Sequence, residues 1–216
     1  EMSCTDARAF FLRNSSYCDF NLPSYFNFEP LLQSVANFLD TQNQGLSSVG
    51  GNQAWKFEKV NYELKTNKDG GYSWRTFELI HPAIYIELVN TITETNNWQE
   101  ILSRFESFKN NNKIVCTSLP RSSTTNHSDT NELVKGWWEN VHQQSFRKAL
   151  DFKYVFTTDI ANFYPSIYTH SIPWAIYTTD VAKSLRDVPN LGNKVDKILR
   201  HMSWGQTNGI PQGSVL

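Results

Sequence analysis

The run Tyr154-Val-Phe-Thr-Thr-Asp-Ile160 constrains this chain more than any other stretch. It is short, apolar and β-branched, and Pro165 follows soon after it. The spacing therefore predicts a strand rather than a helix. Side chains alternate along a strand, so Val155, Thr157 and Asp159 share one face and Tyr154, Phe156, Thr158 and Ile160 the other. Asp159 then stands at the strand's end on the less hydrophobic side, with the rings of Phe163 and Tyr164 just beyond. A carboxylate in that place has two readings. It caps a strand-to-helix junction, or it anchors Mg²⁺, a small hard ion that takes one or two carboxylates plus phosphate oxygens. In the second reading the main-chain carbonyl of Ile160 offers a further oxygen.

Around this run, helical and strand patterns alternate irregularly, which predicts an α+β fold. Leu31, Leu32, Val35, Phe38 and Leu39 fall on one helical face, and Val195, Ile198, Leu199 and Met202 on another. Val134, Trp137, Val141, Ser145 and Ala149 recur at helical spacing before the Tyr154 run. Val60, Tyr62 and Leu64 alternate, a Gly-rich turn follows, and Tyr72 and Trp74 begin a return strand, so residues 57–80 predict a hairpin. Residues 113–119 predict a short buried strand. Ser171 is a candidate N-cap for a helix that opens with Pro173 in its first turn.

Composition narrows the classes. Hydrophobic residues make up 39% and aromatics 14% of 216 residues, enough to bury a core. The net charge of -1 argues mildly against a nucleic-acid binder, though a groove alone can carry the positive potential. Cys4, Cys18 and Cys116 fit no zinc spacing and suit a reducing compartment. No apolar run approaches the ~20 residues of a membrane span, and no secretory pattern opens the sequence. A soluble, cytoplasmic protein without a membrane partner is the expectation.

The second informative stretch is Asn208-Gly-Ile-Pro-Gln-Gly-Ser-Val-Leu216. Gly209 and Gly213 permit backbone conformations closed to other residues, and Gln212 offers an amide. Together, the segments from Thr158 to Ile172 and from Asn208 to Leu216 resemble motifs A and B of a reverse transcriptase palm. The resemblance extends to Phe10–Phe28, Asn67–Val89, Gly136–Leu150, Tyr168–Ala175 and Gly205–Leu216, and is narrowest to the prokaryotic abortive-infection and unknown-group reverse transcriptases, which act in antiphage defence. It implies the fingers and part of the palm of a right-hand polymerase. Residues 1–130 would hold the N-terminal segment and fingers, and residues 131–216 a partial palm.

What the resemblance implies for single residues follows its motifs. Asp159, with the Ile160 carbonyl, matches the metal site of motif A, holding Mg²⁺ or Mn²⁺. Tyr164 matches the position that screens the sugar 2′ carbon, where a bulky ring favours deoxynucleotides. Gln212 and Gly213 match the loop that meets the incoming nucleotide and template. Arg75, Lys113 and Arg121 are candidate triphosphate-binding cations, and solvated surface charge explains them equally well. The implied reaction is two-metal transfer of dNMP from a dNTP to a primer hydroxyl, with RNA or DNA as partners. Some enzymes of this group resemble protein-primed polymerases. Tyr17 and Tyr25 are among nine tyrosines with a hydroxyl to offer, and packing explains each of them too. Trp137 and Trp138 suit base stacking, core packing or a homo-oligomer contact.

A complete palm also needs the motif C carboxylates, usually Tyr-x-Asp-Asp, after motif B. The sequence reaches Leu216 three residues past Gly213 without such a pair. The 216 residues are therefore expected to be inactive alone, as fingers and half a palm. The competing expectation is a non-catalytic nucleic-acid-binding fragment or scaffold in a defence assembly.

Overall fold

The computed structural model describes residues 2–42, 56–57, 59–68, 70–110, 114–116 and 129–216. In chain order the elements are α1 (Cys4–Phe11), α2 (Asn14–Tyr17), α3 (Glu29–Gln42), β1 (Tyr62–Asn67), β2 (Trp74–Leu79), α4 (Pro82–Thr93), α5 (Thr95–Lys109), α6 (Asp129–Ala149), α7 (Phe163–Ser166), α8 (Ser171–Tyr177), α9 (Thr179–Ser184) and α10 (Leu191–Met202). They fall into two compact units, one from residues 1–104 and 162–216, the other from 105–161. The first unit thus joins residues from both sides of position 130.

In the first unit α4 is the central helix. Its sequence is apolar nearly all round, which suits a helix with neighbours on several sides. Ile84, Tyr85, Ile86, Leu88 and Val89 are buried, and α1, α3 and α10 pack against it. Each of those three contributes one apolar stripe. From α1 come Ala7, Phe10 and Phe11, and from α10 come Val195, Ile198, Leu199 and Met202, as the spacing predicts. On α3 the buried stripe is narrower than the predicted face. Leu32, Ala36 and Leu39 are inside, while Leu31 and Phe38 are exposed. Consecutive residues lie about 100° apart around a helix, so Leu31 and Leu32 cannot both centre on the core.

The helix ends are set by side chains. Ser3 accepts the N–H of Asp6 at α1, and Asn190 accepts that of Asn193 at α10. At α4, the His81 ring accepts the Ala83 N–H, and Pro82 fills a position whose N–H would be unpaired. The cap predicted at Ser171 is displaced by one. His170 is the N-cap and Ser171 is already helical. The helix also stops early, because Thr178 takes φ 73° and ψ 158°, a conformation that breaks the helical run before α9 resumes it.

The predicted hairpin is present. β1 and β2 pair antiparallel from Tyr62 opposite Leu79 to Asn67 opposite Trp74. Tyr62 and Leu64 therefore share a face with Leu79 and Phe77. Buried Asn61 ties the hairpin's base to the helices. It donates to Glu78 at 2.8 Å and to the Met202 carbonyl at 3.1 Å, and it accepts the His81 N–H at 3.1 Å. Beneath it, Tyr17 and Tyr85 meet edge to face at 4.8 Å. Their hydroxyls donate to the carbonyls of Ile80 and Phe11. Burial pushes both phenols well above their ordinary range, so they stay neutral.

The second unit holds the end of α5, α6 and the segment that leads out of α6. Here the structure corrects the strand predicted over residues 154–160. That segment is exposed and carries no ladder, because among the described residues no strand lies beside it. A β pattern needs a partner to become a sheet. Of the strand predicted over 113–119, Ile114–Cys116 form none, and the remainder lies outside the described residues.

One buried carboxylate gives a pH-dependent expectation. Glu87 on α4 has an Oε2 that is buried without a hydrogen-bond partner among the described residues. Burial raises its carboxyl, and Lys197 offsets part of the rise. Unfolded, Glu87 loses its proton at an ordinary carboxylate pH, while the folded chain holds it longer. Its stabilising share is therefore full at acid pH and is lost as pH climbs towards the raised value. Glu87→Gln should raise the melting temperature at neutral pH by roughly 2–4 °C. The gain should vanish at about pH 4. Thermal denaturation at both pH values checks this, and a lower melting temperature at neutral pH would refute it.

Candidate functional site

Residues 164–169 and 207–210, from the two stretches that resemble polymerase motifs, meet in the first unit. Residues 207–210 run antiparallel to the turn at 164–169. Thr169 N–H donates to the Thr207 carbonyl at 2.8 Å, Gly209 N–H to Ile167 at 2.8 Å, and Ile210 N–H to Tyr164 at 3.1 Å. Tyr168 and Asn208 form the bridge between them. Pro165 supplies the reason for a turn here. It lies in the single turn of α7, entered through Asn162 at φ 51°. Gly209, at φ 90°, passes that turn closely, since a Cβ on it would sit 3.3 Å from the Pro165 carbonyl oxygen. The Tyr164 ring is 41% exposed and meets Phe163 edge to face at 5.4 Å.

The segment continues along the hairpin. Glu78 N–H donates to the Gln212 carbonyl at 2.7 Å, Asp19 N–H to Gly213 at 2.9 Å, and Val215 N–H to Ser16 at 2.8 Å. Gly213 is buried, and a Cβ there would sit 2.5 Å from the Glu78 carbonyl oxygen and 2.9 Å from Phe20 Cε1. The close approach expected of this glycine is thus made to protein. Phe20 stacks on Phe77 at 5.1 Å, and the Arg75 guanidinium lies 6.0 Å over the Phe77 ring. Tyr164, Gln212, Gly213 and Arg75 are consequently joined by one chain of contacts. Beside Gln212, burial raises the Glu78 carboxyl. The Asn61 amide lowers it in part, and Glu63, directly opposite on β1, raises it further.

Behind the turn, α10 carries a feature that sequence reading missed. Asp196 is 4% exposed among Val195, Ile198 and Leu199. Its Oδ1 lies 3.1 Å from His170 Nδ1 and its Oδ2 lies 3.2 Å from Arg200 Nε. The signal was legible as an acidic residue inside an apolar stripe with Arg at i+4. The pattern of apolar positions alone did not select it. His170 in turn meets Tyr168 edge to face at 5.0 Å, and Tyr168 lies 5.7 Å from Trp174. Buried His201 stays neutral. Desolvation lowers its pKa first, and the charges of Lys197 and Arg200 add to that.

Asp159 and Ile160 belong to the second unit. Asp159 is exposed, and its Oδ1 accepts the Ile160 N–H at 2.8 Å. Asp159 is thus a lone exposed carboxylate, which fits an ion that takes one carboxylate and fills its shell with phosphate and water. Among the described residues no three His, Cys, Asp or Glu side chains cluster at metal-binding range. Lys113 and Arg121 lie outside the described residues. Tyr17 is 1% exposed with its hydroxyl engaged, whereas Tyr25 is 79% exposed. Among the described residues no helix is long and apolar enough to cross a membrane. No protein-family model matches the chain, and no curated protein matches it.

Proposed function

We propose that these residues are the fingers and part of the palm of an RNA-directed DNA polymerase of the reverse transcriptase class, acting in antiphage defence. The observation that supports this reading most is the antiparallel pairing of the Tyr164 turn with the Thr207–Ile210 segment. Two stretches about forty residues apart, with complementary roles at one nucleotide in this reading, lie side by side. In this reading the Tyr164 ring screens the sugar and Gln212 faces the base pair. Arg75 takes the triphosphate from the hairpin. Asp159 and the Ile160 carbonyl hold Mg²⁺, or Mn²⁺ in its place. When bound, that ion lowers the pKa of the attacking hydroxyl and neutralises charge on the phosphates. The chain's own contribution is placement, which supplies much of the rate in such transfers.

The test is dNMP incorporation by the polypeptide that carries these residues together with the motif C carboxylates. Incorporation should require Mg²⁺ or Mn²⁺ and stop with EDTA. Tyr164→Ala should improve ribonucleotide use relative to deoxynucleotides by roughly tenfold, about 1.4 kcal/mol of discrimination. Absence of metal-dependent incorporation would overturn the polymerase reading.

A second reading has its own support. On α6, Trp138 stacks on His142 at 4.9 Å and 15°, and both are exposed. Arg147, Lys148 and Lys153 follow within the same stretch. Aromatic rings with neighbouring cations are the ingredients of a single-strand binding surface. A binding module of this kind predicts salt-sensitive affinity for RNA or DNA with no incorporation.

A further inference from the structure

We infer that Asp196 and His170 are positioning residues that set the Tyr164 turn against the Gln212 loop and so govern sugar selection. The inference rests on the polymerase reading for the word sugar, while the clamp itself rests on geometry alone.

A carboxylate buried on the apolar stripe of a helix is a poor stability device. Well-packed apolar residues usually do as well, because desolvation offsets the attraction of the ions. Such a buried contact is better suited to fixing register, since only one alignment places a polar partner beside the carboxylate. Here the alignment it fixes is specific. His170 stands between Thr169, whose N–H donates to Thr207, and Ser171, the first residue of α8. Asp196 therefore pins to α10 the residue that borders the zipped turn. Arg200 Nε lies 3.2 Å from the other carboxylate oxygen; like the His170 contact this is an ion-pair distance without hydrogen-bond geometry. The Arg200 carbonyl accepts the N–H groups of Ser203 and Gly205. That second link ties α10 to the loop that becomes residues 207–213. The carboxylate thus meets one strand of the pairing through His170, and the main chain of its own helix leads into the other. Neither Asp196 nor His170 need touch a nucleotide. They act through the position of the Tyr164 main chain, whose carbonyl accepts the Ile210 N–H.

The experiment has two readouts. In the first, amide hydrogen exchange is followed on the 216-residue chain. His170→Ala should speed exchange of Thr169, Gly209 and Ile210 about tenfold, leaving α4 amides unchanged. His170→Asn, whose amide can still face Asp196, should restore most of the protection. In the second, the polypeptide with the motif C carboxylates is assayed for deoxynucleotide against ribonucleotide use. His170→Ala and Asp196→Asn should each cut the preference about fivefold, through KM for the deoxynucleotide with kcat nearly unchanged. Unchanged exchange at the three amides would overturn the clamp. Faster exchange with unchanged sugar preference would leave His170 a structural residue and overturn the inference, with the polymerase reading intact. A parent enzyme that incorporates without sugar preference would overturn the inference as well. No metal-dependent incorporation by the parent at all would remove the polymerase reading and the sugar claim with it, and the exchange result would then stand as evidence about the turn alone. Should Asp196→Asn fail to fold, His170→Ala and His170→Asn decide the matter, because His170 is 38% exposed.

Discussion

Gly213→Ala should lower the stability of the folded chain by roughly 3–5 kcal/mol, the sum of an overpacked contact and a strained backbone. The added Cβ would lie 2.5 Å from the Glu78 carbonyl oxygen and 2.9 Å from Phe20 Cε1. The first of these is main chain and cannot swing aside. The second is a ring fixed by stacking on Phe77. The backbone at φ 154° is one that side-chain-bearing residues rarely adopt. Relief would require the segment to move, which breaks the bonds that Gln212 and Gly213 accept from Glu78 and Asp19. Gly70 provides the comparison. It also has positive φ, at 75°, but nothing lies within 4 Å of its missing Cβ. Gly70→Ala should therefore cost only about 1 kcal/mol. Urea denaturation of the two variants separates the contributions, since the midpoint should move far more for Gly213→Ala. Equal midpoints would overturn the close approach to Glu78 as the source of the cost. The result also governs how activity data are read. A Gly213 variant that loses nucleotide incorporation has first lost the packing of its loop.

The contrast between Gly213 and Asp159 explains how far the sequence could be read. A glycine announces that something approaches closely, but not what. The protein groups close to Gly213 are Glu78 and Phe20, which sit 135 and 193 residues away in sequence and leave no local trace. Local signals fared better where the determinant is local. The α10 stripe of Val195, Ile198, Leu199 and Met202 is buried as its period requires, and the hairpin turn joins the strands its residues demand. The Tyr154–Ile160 run has a strand's composition, yet pairing is a property of two segments. Asp196 was legible only as an exception to the α10 stripe. Of its partners, Arg200 lies on the same helix, but His170 is the N-cap of α8 and distant in sequence. The pairing of residues 164–169 with 207–210 follows from no single-residue preference. It is the part of the site that only the structure supplies.

Asp159→Asn should reduce metal-dependent nucleotide incorporation by roughly 10³-fold or more while leaving the fold as stable as before. The substitution keeps the shape of the side chain. Its amide oxygen can still accept the Ile160 N–H that Asp159 accepts at 2.8 Å, so the local turn persists. What is removed is the negative charge, the property a hard divalent ion needs most. Because Asp159 is exposed, the change in stability should stay within about 0.5 kcal/mol. An activity loss is then attributable to chemistry rather than to unfolding, unlike that of Gly213→Ala. Raising Mg²⁺ or offering Mn²⁺ should recover part of the activity if the ion is merely bound less tightly. The same variant divides the two readings of the chain. A binding module contacts phosphates and bases with cations and rings, so it keeps its salt-sensitive affinity for single strands when Asp159 is neutralised. Incorporation that survives Asp159→Asn undiminished would remove this carboxylate from the reaction. With it would go the reason for placing a metal at the end of the Tyr154 run.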